Sequence, residues 1–309
     1  MASLIFRRTG KKLPLLRSAG WQAEALLMDV FWAIARRMSP ERASVFGARL
    51  LSGLGPRFSK QKHILTNLSV VLGTQDASRL EAVARQVWAS LGAVLAEYPH
   101  LEAFARTPER YIRTTVGPLA ADILARKVPA IYVTSHLANW ELAALATSSQ
   151  GIPLSVVYGP QSNPALETRL QAQRRFLGCG FISKHNAMRS LVKALRKGES
   201  IGLLSDVRVD KGESVEFFGR QAQTATTPAW LSLKLGCPIV PIHIQREGDA
   251  RYHVAFQDPL TVASESDTVD QSAVLDLTRR LNTVFESWIR EQPGQWTCTK
   301  RRWSKAACA

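Results

Sequence analysis

Cysteine is scarce and acid is under-represented in this chain. The four cysteines, Cys179, Cys237, Cys298 and Cys308, lie far apart with no Cys-x-x-Cys pair. That excludes a disulfide framework or a zinc ribbon and suits reduced thiols in a cytosolic setting, acting as small apolar side chains. No Gly/Ser-rich or Pro-rich run, low-complexity stretch or internal repeat divides the 309 residues, so linkers and solenoids are excluded. No small-residue cleavage site follows the first apolar stretch, which argues against a secretory signal. With 25 Asp and Glu against 40 Lys and Arg, the formal charge is +15. Such an imbalance calls for an anionic partner or surface.

The positive excess is concentrated at the N-terminus. Between Met1 and Lys62 stand Arg7, Arg8, Lys11, Lys12, Arg17, Arg36, Arg37, Arg42, Arg49, Arg57, Lys60 and Lys62, against Glu24, Asp29 and Glu41. Within that stretch Leu26, Leu27, Val30, Phe31, Ile34 and Met38 recur at helical spacing. They predict an amphipathic helix on an anionic membrane surface, where each cation contributes about 1 kcal/mol before screening. Glu24 and Asp29 interrupt the roughly 20 apolar residues that a confident span needs, although a tilted or partial insertion also fits. Nucleic acid is the competing anion, but zinc-finger, RNA-binding-strand and helix-turn-helix patterns are absent. Residues 1–40 therefore read as a membrane-associating segment ahead of a 41–309 domain.

That domain, in a chain 46% hydrophobic, has the pattern of an α/β fold: a single domain with a mostly parallel central sheet flanked by helices. Apolar runs at 129–135, 154–158, 201–204 and 238–244 predict buried strands. Helical spacing predicts helices over 76–104, 140–147, 164–176, 189–197 and 228–235. In such folds active sites gather at the carboxyl ends of strands.

His136 occupies such an end, in the run His136-Leu-Ala-Asn-Trp-Glu141. Five residues of continuous helix turn through about 500°, so His136 and Glu141 can meet only across a bend. Asn139 suits the helix N-cap and Glu141 its first turn, where a carboxylate is favoured by the helix dipole. Glu141 is expected to accept from one imidazole nitrogen, leaving the other to take a proton from a hydroxyl. A buried histidine hydrogen-bonded for purely structural reasons fits the spacing equally well. A second His or Cys at ligand spacing is missing, as is a Gly-x-Ser-x-Gly elbow, so neither a metal, a cofactor nor a serine nucleophile is expected.

Five segments in order, over about residues 40 to 303, resemble the late (secondary) acyltransferases of lipid A biosynthesis, within the lysophospholipid acyltransferase-like superfamily. They are Asn67-Leu68 with Val70-Val71-Leu72; His136 to Glu141; Tyr158-Gly159-Pro160 with Asn163-Pro164 and Arg174 to Gly178; Phe217-Phe218-Gly219 with Ala222 and Thr224; and Pro293, Gln295-Trp296 and Arg301-Arg302-Trp303. The resemblance implies transfer of a fatty acyl group from an acyl-carrier-protein thioester to a hydroxyl of a lipid A precursor, at the cytoplasmic face of the inner membrane. It implies His136, Glu141 and Arg174 as catalytic groups, Arg174 donating to the oxyanion, and Asn139, Trp140, Asp206, Arg301 and Arg302 as substrate contacts. Asp206 fits either a carboxylate holding Arg174 or another cation, or a cap of the following turn. Arg174 also fits a helix-surface salt bridge, and Arg301-Arg302 a solvated basic tail. Gly159 where many members have Arg, Val207 after Asp206 instead of Gln, and Lys300 instead of His are departures that bear on donor or acceptor preference. The "FPEGTR" phosphate motif of glycerophosphate-type relatives is missing, which favours a lipid A-like acceptor over lysophosphatidate. Another membrane glycolipid or phospholipid is the rival acceptor, and a non-catalytic membrane-binding module the rival from outside enzymology.

Overall fold

A computed structural model describes residues 14–185, 187–260 and 268–304. Cys308 and the basic residues Arg7, Arg8, Lys11 and Lys12 lie outside that range. Four helices come first: α1 (Pro14–Arg36), α2 (Pro40–Leu54), α3 (Gln61–Leu72) and α4 (Ala77–Glu97). The helical run expected over 76–104 breaks after Glu97. A 3₁₀ turn at Tyr98–His100 contains Pro99, whose missing N–H and ring cannot continue an α-helix. α2 and α4 cross at closest approach through two glycines. A Cβ on Gly92 would lie 2.1 Å from the Gly47 carbonyl oxygen, and a Cβ on Gly47 would lie 2.2 Å from that of Gly92. This contact fixes the level at which the end of α4 reaches the sheet.

After α5 (Leu101–Arg106) and α6 (Pro108–Tyr111) the α/β part begins with β1 (Ile112–Val116), α7 (Pro118–Ala125), β2 (Ile131–Thr134), α8 (Glu141–Ser149) and β3 (Leu154–Tyr158). It continues through α9 (Pro164–Arg174), β4 (Gly180–Ser183), α10 (Ala187–Arg196), β5 (Ser200–Leu204), β6 (Glu213–Phe217) and β7 (Arg220–Thr224). α11 (Thr227–Leu235), β8 (Ile239–Gly248), β9 (Arg251–Phe256) and α12 (Gln271–Glu291) complete it. Seven strands form one sheet in the order β1-β9-β8-β2-β5-β3-β4, and β6 and β7 form a separate hairpin. Only β8 and β9 pair antiparallel within the large sheet. The mostly parallel α/β architecture expected from the strand–helix alternation is therefore what the chain adopts. β2 is buried at all four positions, as a central strand covered by helices on both faces must be.

Elements beyond those expected are the helices α2, α3, α6, α7 and α12, the edge strands β1 and β4, the strand β9 and the hairpin. β1 exposes four of its five residues, so it carries no buried apolar run. The hairpin turns at Phe218-Gly219, both with positive φ, which matches strand twist but sets a bulky residue where glycine or asparagine is usual. Trp303 Nε1 donates to the Phe217 carbonyl and its ring stacks on Phe217 at 5.7 Å, so tertiary contacts hold that turn.

The N-terminal helix splits its apolar residues between two environments. Trp32 is buried, donating Nε1–H to the Leu95 carbonyl, and Phe31 stacks on Phe46. Asp29 pairs with Arg169 of α9, and Asn163, the α9 N-cap, donates to the Trp21 carbonyl. Leu26, Leu27, Val30 and Ile34 stay exposed, Leu27 by 64%. Among the described residues no helix is long and apolar enough to cross a membrane.

Candidate active site

β2 and β5 are parallel neighbours with Thr134 opposite Leu204, and the Ser205 N–H donates to the Thr134 carbonyl. Two residues beyond each of those paired positions, at the carboxyl end of the sheet, stand His136 and Asp206. Their side chains meet: His136 Nδ1 lies 2.7 Å from Asp206 Oδ1. The second carboxylate oxygen accepts from the Trp296 indole N–H at 2.8 Å. Asp206 is 1% exposed. Burial alone would raise its pKa, but the adjacent imidazole and the two donors outweigh it and hold the carboxyl below the usual range. Asp206 therefore stays charged and fixes the ring, with Nδ1 as the protonated nitrogen. Nε2 is left to accept a proton.

The expected pairing of His136 with Glu141 is thus corrected. Ala138 between them has φ +47°, a left-handed conformation costing about 1–2 kcal/mol for a residue with a Cβ. Its N–H donates to the Gln295 carbonyl, and the Thr297 N–H donates to the His136 carbonyl. The C-terminal segment thereby holds the bend that sends Glu141 toward α4 and α9. There Glu141 accepts from Arg174 Nη2 at 2.6 Å and Nε at 3.1 Å, and from the Tyr98 hydroxyl at 2.5 Å. Burial raises the Glu141 pKa, yet the Arg174 charge and these bonds bring it below normal, while Tyr98 is pushed well up, chiefly by burial. Arg174 therefore pairs with Glu141 and not with Asp206. Its Nη1 lies outside these bonds.

Asn139 is also corrected. α8 begins after Trp140 without a side-chain cap, and Asn139 instead donates Nδ2–H to Glu97 Oε2 at 2.9 Å. Glu97, fully buried at the end of α4, also accepts from Arg246 and from the Tyr252 hydroxyl. Glu97 and Tyr98 thus anchor Asn139 and Glu141, the two ends of the bend. A carboxylate inside the apolar stripe of α4 was the only sequence signal for this pair of anchors. Trp140 lies against His136, ring centroids 5.1 Å apart.

His136, Asp206, Glu141, Arg174 and Trp140 all line one cavity of about 520 Å³, whose walls also include Tyr132, Leu154, Val156 and Leu170. Arg302 also borders it but is 2% exposed. It donates to Gln223 O and Thr224 Oγ1, stands over the Phe217 ring at 4.6 Å, and has its pKa lowered to about 10, chiefly by burial. It is a structural fastener of the C-terminal segment and not the solvated tail residue that composition allowed. Arg301 is half-buried and is not among the cavity-lining residues. No three His, Cys, Asp or Glu cluster as metal ligands among the described residues. Cys179, Cys237 and Cys298 are not in disulfides among the described residues.

Segments far apart in sequence converge here. Asn67 donates to the carbonyls of Cys298 and Lys300 and accepts from the Arg302 N–H, while Phe217, Trp296 and Trp303 pack together. The sequence profile of the bacterial lipid A biosynthesis acyltransferases matches residues 16–305. The chain belongs to this family. It is an acyltransferase. Relatives include lipid A biosynthesis acyltransferase 1 of Shigella flexneri and the lipid A biosynthesis myristoyltransferase of Escherichia coli K12, each 23% identical over 253 residues, covering 77% of this chain and 73% of theirs. A lipid A biosynthesis acyltransferase of Haemophilus influenzae is 26% identical over 167 residues, 51% of this chain and 49% of its own. Among solved structures, the 1-acyl-sn-glycerophosphate acyltransferase PlsC of Thermotoga maritima aligns over 86% of this acyltransferase and 97% of its own chain, with 12% identity and a TM-score of 0.37.

Proposed function

We propose that this acyltransferase moves a fatty acyl chain from an acyl-carrier-protein thioester to a hydroxyl of a lipid A precursor, late in lipopolysaccharide assembly. The observation that carries the reading is the His136–Asp206 pair on the wall of a largely apolar cavity, in a chain of this family. His136 Nε2 removes the acceptor hydroxyl proton as that oxygen attacks the thioester carbonyl. Asp206 holds Nδ1–H and stabilises the imidazolium that forms. The collapsing tetrahedral intermediate expels the carrier thiolate, which takes the proton back from His136. A positioned general base contributes about 10²- to 10⁴-fold. Arg174 Nη1 donates to the oxyanion, held by the Glu141 and Tyr98 bonds to the other side of its guanidinium. A donor of that kind contributes about 10²- to 10³-fold. Trp140 borders the acceptor. The apolar walls at Leu154, Val156 and Leu170 receive the acyl chain.

The reaction is placed at the cytoplasmic face of the inner membrane. Leu26, Leu27, Val30 and Ile34 form an exposed apolar stripe on α1, and Arg37 is exposed just past its end. That combination suits an interfacial helix lying on anionic lipid. In this reading residues 1–40 dock the 41–309 domain onto its lipid substrate.

The test is transfer of labelled acyl chain from carrier-protein thioester to a tetra-acylated lipid A precursor by purified protein. Wild type is expected to transfer label, and His136→Ala to lose it with an unchanged melting temperature. A His136→Ala protein that retains near-normal rates would overturn the mechanism. Transfer to a lysophospholipid but not to the lipid A precursor would overturn the acceptor.

A further inference from the structure

Two stretches of this chain hold no acid at all: residues 42–75 contain neither Asp nor Glu, and neither do residues 292–309. The fold lays part of one against part of the other. Asn67, through its bonds to the carbonyls of Cys298 and Lys300 and the N–H of Arg302, fixes the C-terminal strap beside α3. Lys60, Lys62 and His63, at the start of α3, thereby join Lys300 and Arg301 in one cationic surface, and Arg57 stands three residues ahead of Lys60 in the sequence. Lys60, Lys62 and Arg301 are close enough to act on His63. The His63 pKa is lowered first by burial and then by Lys60, Arg301 and Lys62. Lys60 and Lys300 also line the cavity that contains His136 and Asp206, so the surface runs into the mouth of the site.

We propose that this surface docks the acidic carrier domain of the acyl donor, so that its thioester arm enters the cavity past Lys60 and Lys300. The proposal rests on the carrier-protein reading above and gives that partner its place. An anionic membrane is the other macromolecular partner of such charge. Against it, the large apolar side chains exposed among the described residues are Leu26, Leu27, Val30, Ile34, Leu54, Val116, Leu119 and Met188, and none falls within 57–63 or 300–301. Membrane-docking surfaces combine cations with exposed apolar side chains, as α1 does. A surface with the charge and without those side chains fits a soluble acidic partner recognised by complementarity and on-rate.

The test uses the full chain with Lys62→Glu alone and with Arg57→Glu, neither residue lining the cavity. Two donors carry the same acyl chain, one as the carrier-protein thioester and one as a thioester of a small thiol, and apo-carrier binding is followed separately by fluorescence anisotropy. The expected result is a KM for the carrier thioester raised about 10-fold in the double variant, with kcat and the small-thioester kinetics unchanged and carrier binding weakened to match. Carrier binding by wild type should also fall steeply with salt. An unchanged KM and carrier affinity in the double variant, where wild type does prefer the carrier donor, would overturn the docking surface and spare the donor reading. A wild type that neither binds the carrier nor prefers it would overturn both. Equal losses on both donors would make the surface part of the catalytic site, and lost vesicle binding with intact carrier kinetics would assign it to the membrane; either outcome overturns the proposal.

Discussion

Replacing Asp206 with Asn changes one oxygen for one amide nitrogen, and the surroundings dictate which way the amide faces. The Trp296 N–H, 2.8 Å from one carboxylate oxygen, requires an acceptor there. The amide oxygen therefore turns to Trp296 and the NH₂ to His136 Nδ1. A donor facing Nδ1 stabilises the neutral tautomer with its proton on Nε2, which leaves the catalytic end of the ring without a lone pair. The imidazolium also loses its counter-charge. Loss of general-base function removes about 10²- to 10⁴-fold, and the corresponding Asp-to-Asn change in the serine-protease triad removes about 10⁴-fold. Asp206→Asn is expected to lower kcat by about 10³-fold or more, or about 4 kcal/mol of barrier. KM for either substrate should move little, because Asp206 contacts the ring and not the substrate in this mechanism. Steady-state transfer kinetics, with a melting curve to confirm folding, provide the measurement. A variant within 10-fold of wild-type kcat, properly folded, would refute the assignment of Asp206 as the orienting group.

Trp296→Phe removes one of the donors to the same carboxylate, so the Asp206 pKa should rise, as followed by its carboxyl resonance in an NMR titration; an unmoved titration counts against the coupling. Glu141→Ala leaves the Arg174 guanidinium, 12% exposed, without its carboxylate, and is expected to destabilise the fold by about 3–5 kcal/mol, with Glu141→Gln milder. If denaturant melts show no loss in the alanine variant, Glu141 is not the partner that secures Arg174. Both Glu141 and Asp206 have folded pKa values below their ordinary values of 4.5 and 3.8, so their stabilisation is complete above that range. It is lost as pH falls through the lower folded values, and acid unfolding of Glu141→Gln should be the less steep. Leu27→Ser, Val30→Ser and Ile34→Ser together should weaken binding to anionic vesicles by about 3 kcal/mol, on the order of 100-fold, at about 1 kcal/mol for each half-buried side chain. The melting temperature should hold, since these side chains are exposed; unchanged vesicle binding would remove α1 from the membrane contact.

Local patterns carried much of this protein. The apolar run ending at Ser135 specified a buried strand, β3 falls at the expected residues 154–158, and the position of His136 just past a strand end already marked it as a site residue. Those features depend on neighbours in sequence, where periodicity and turn chemistry act directly. The partner of His136 did not depend on neighbours. Glu141 was the nearest carboxylate along the chain, but Ala138, strapped to Gln295, turns it away. Asp206, seventy residues on, reaches the imidazole because β5 pairs beside β2 in register. Strand order is set by how helices cover both sheet faces, which no local pattern records. The same holds for Glu97 and Tyr98, placed at the bend by the glycine crossing of α2 and α4, and for the cationic surface. Its two halves are each visible as acid-free sequence, and only tertiary contacts, the bonds of Asn67 among them, bring them together.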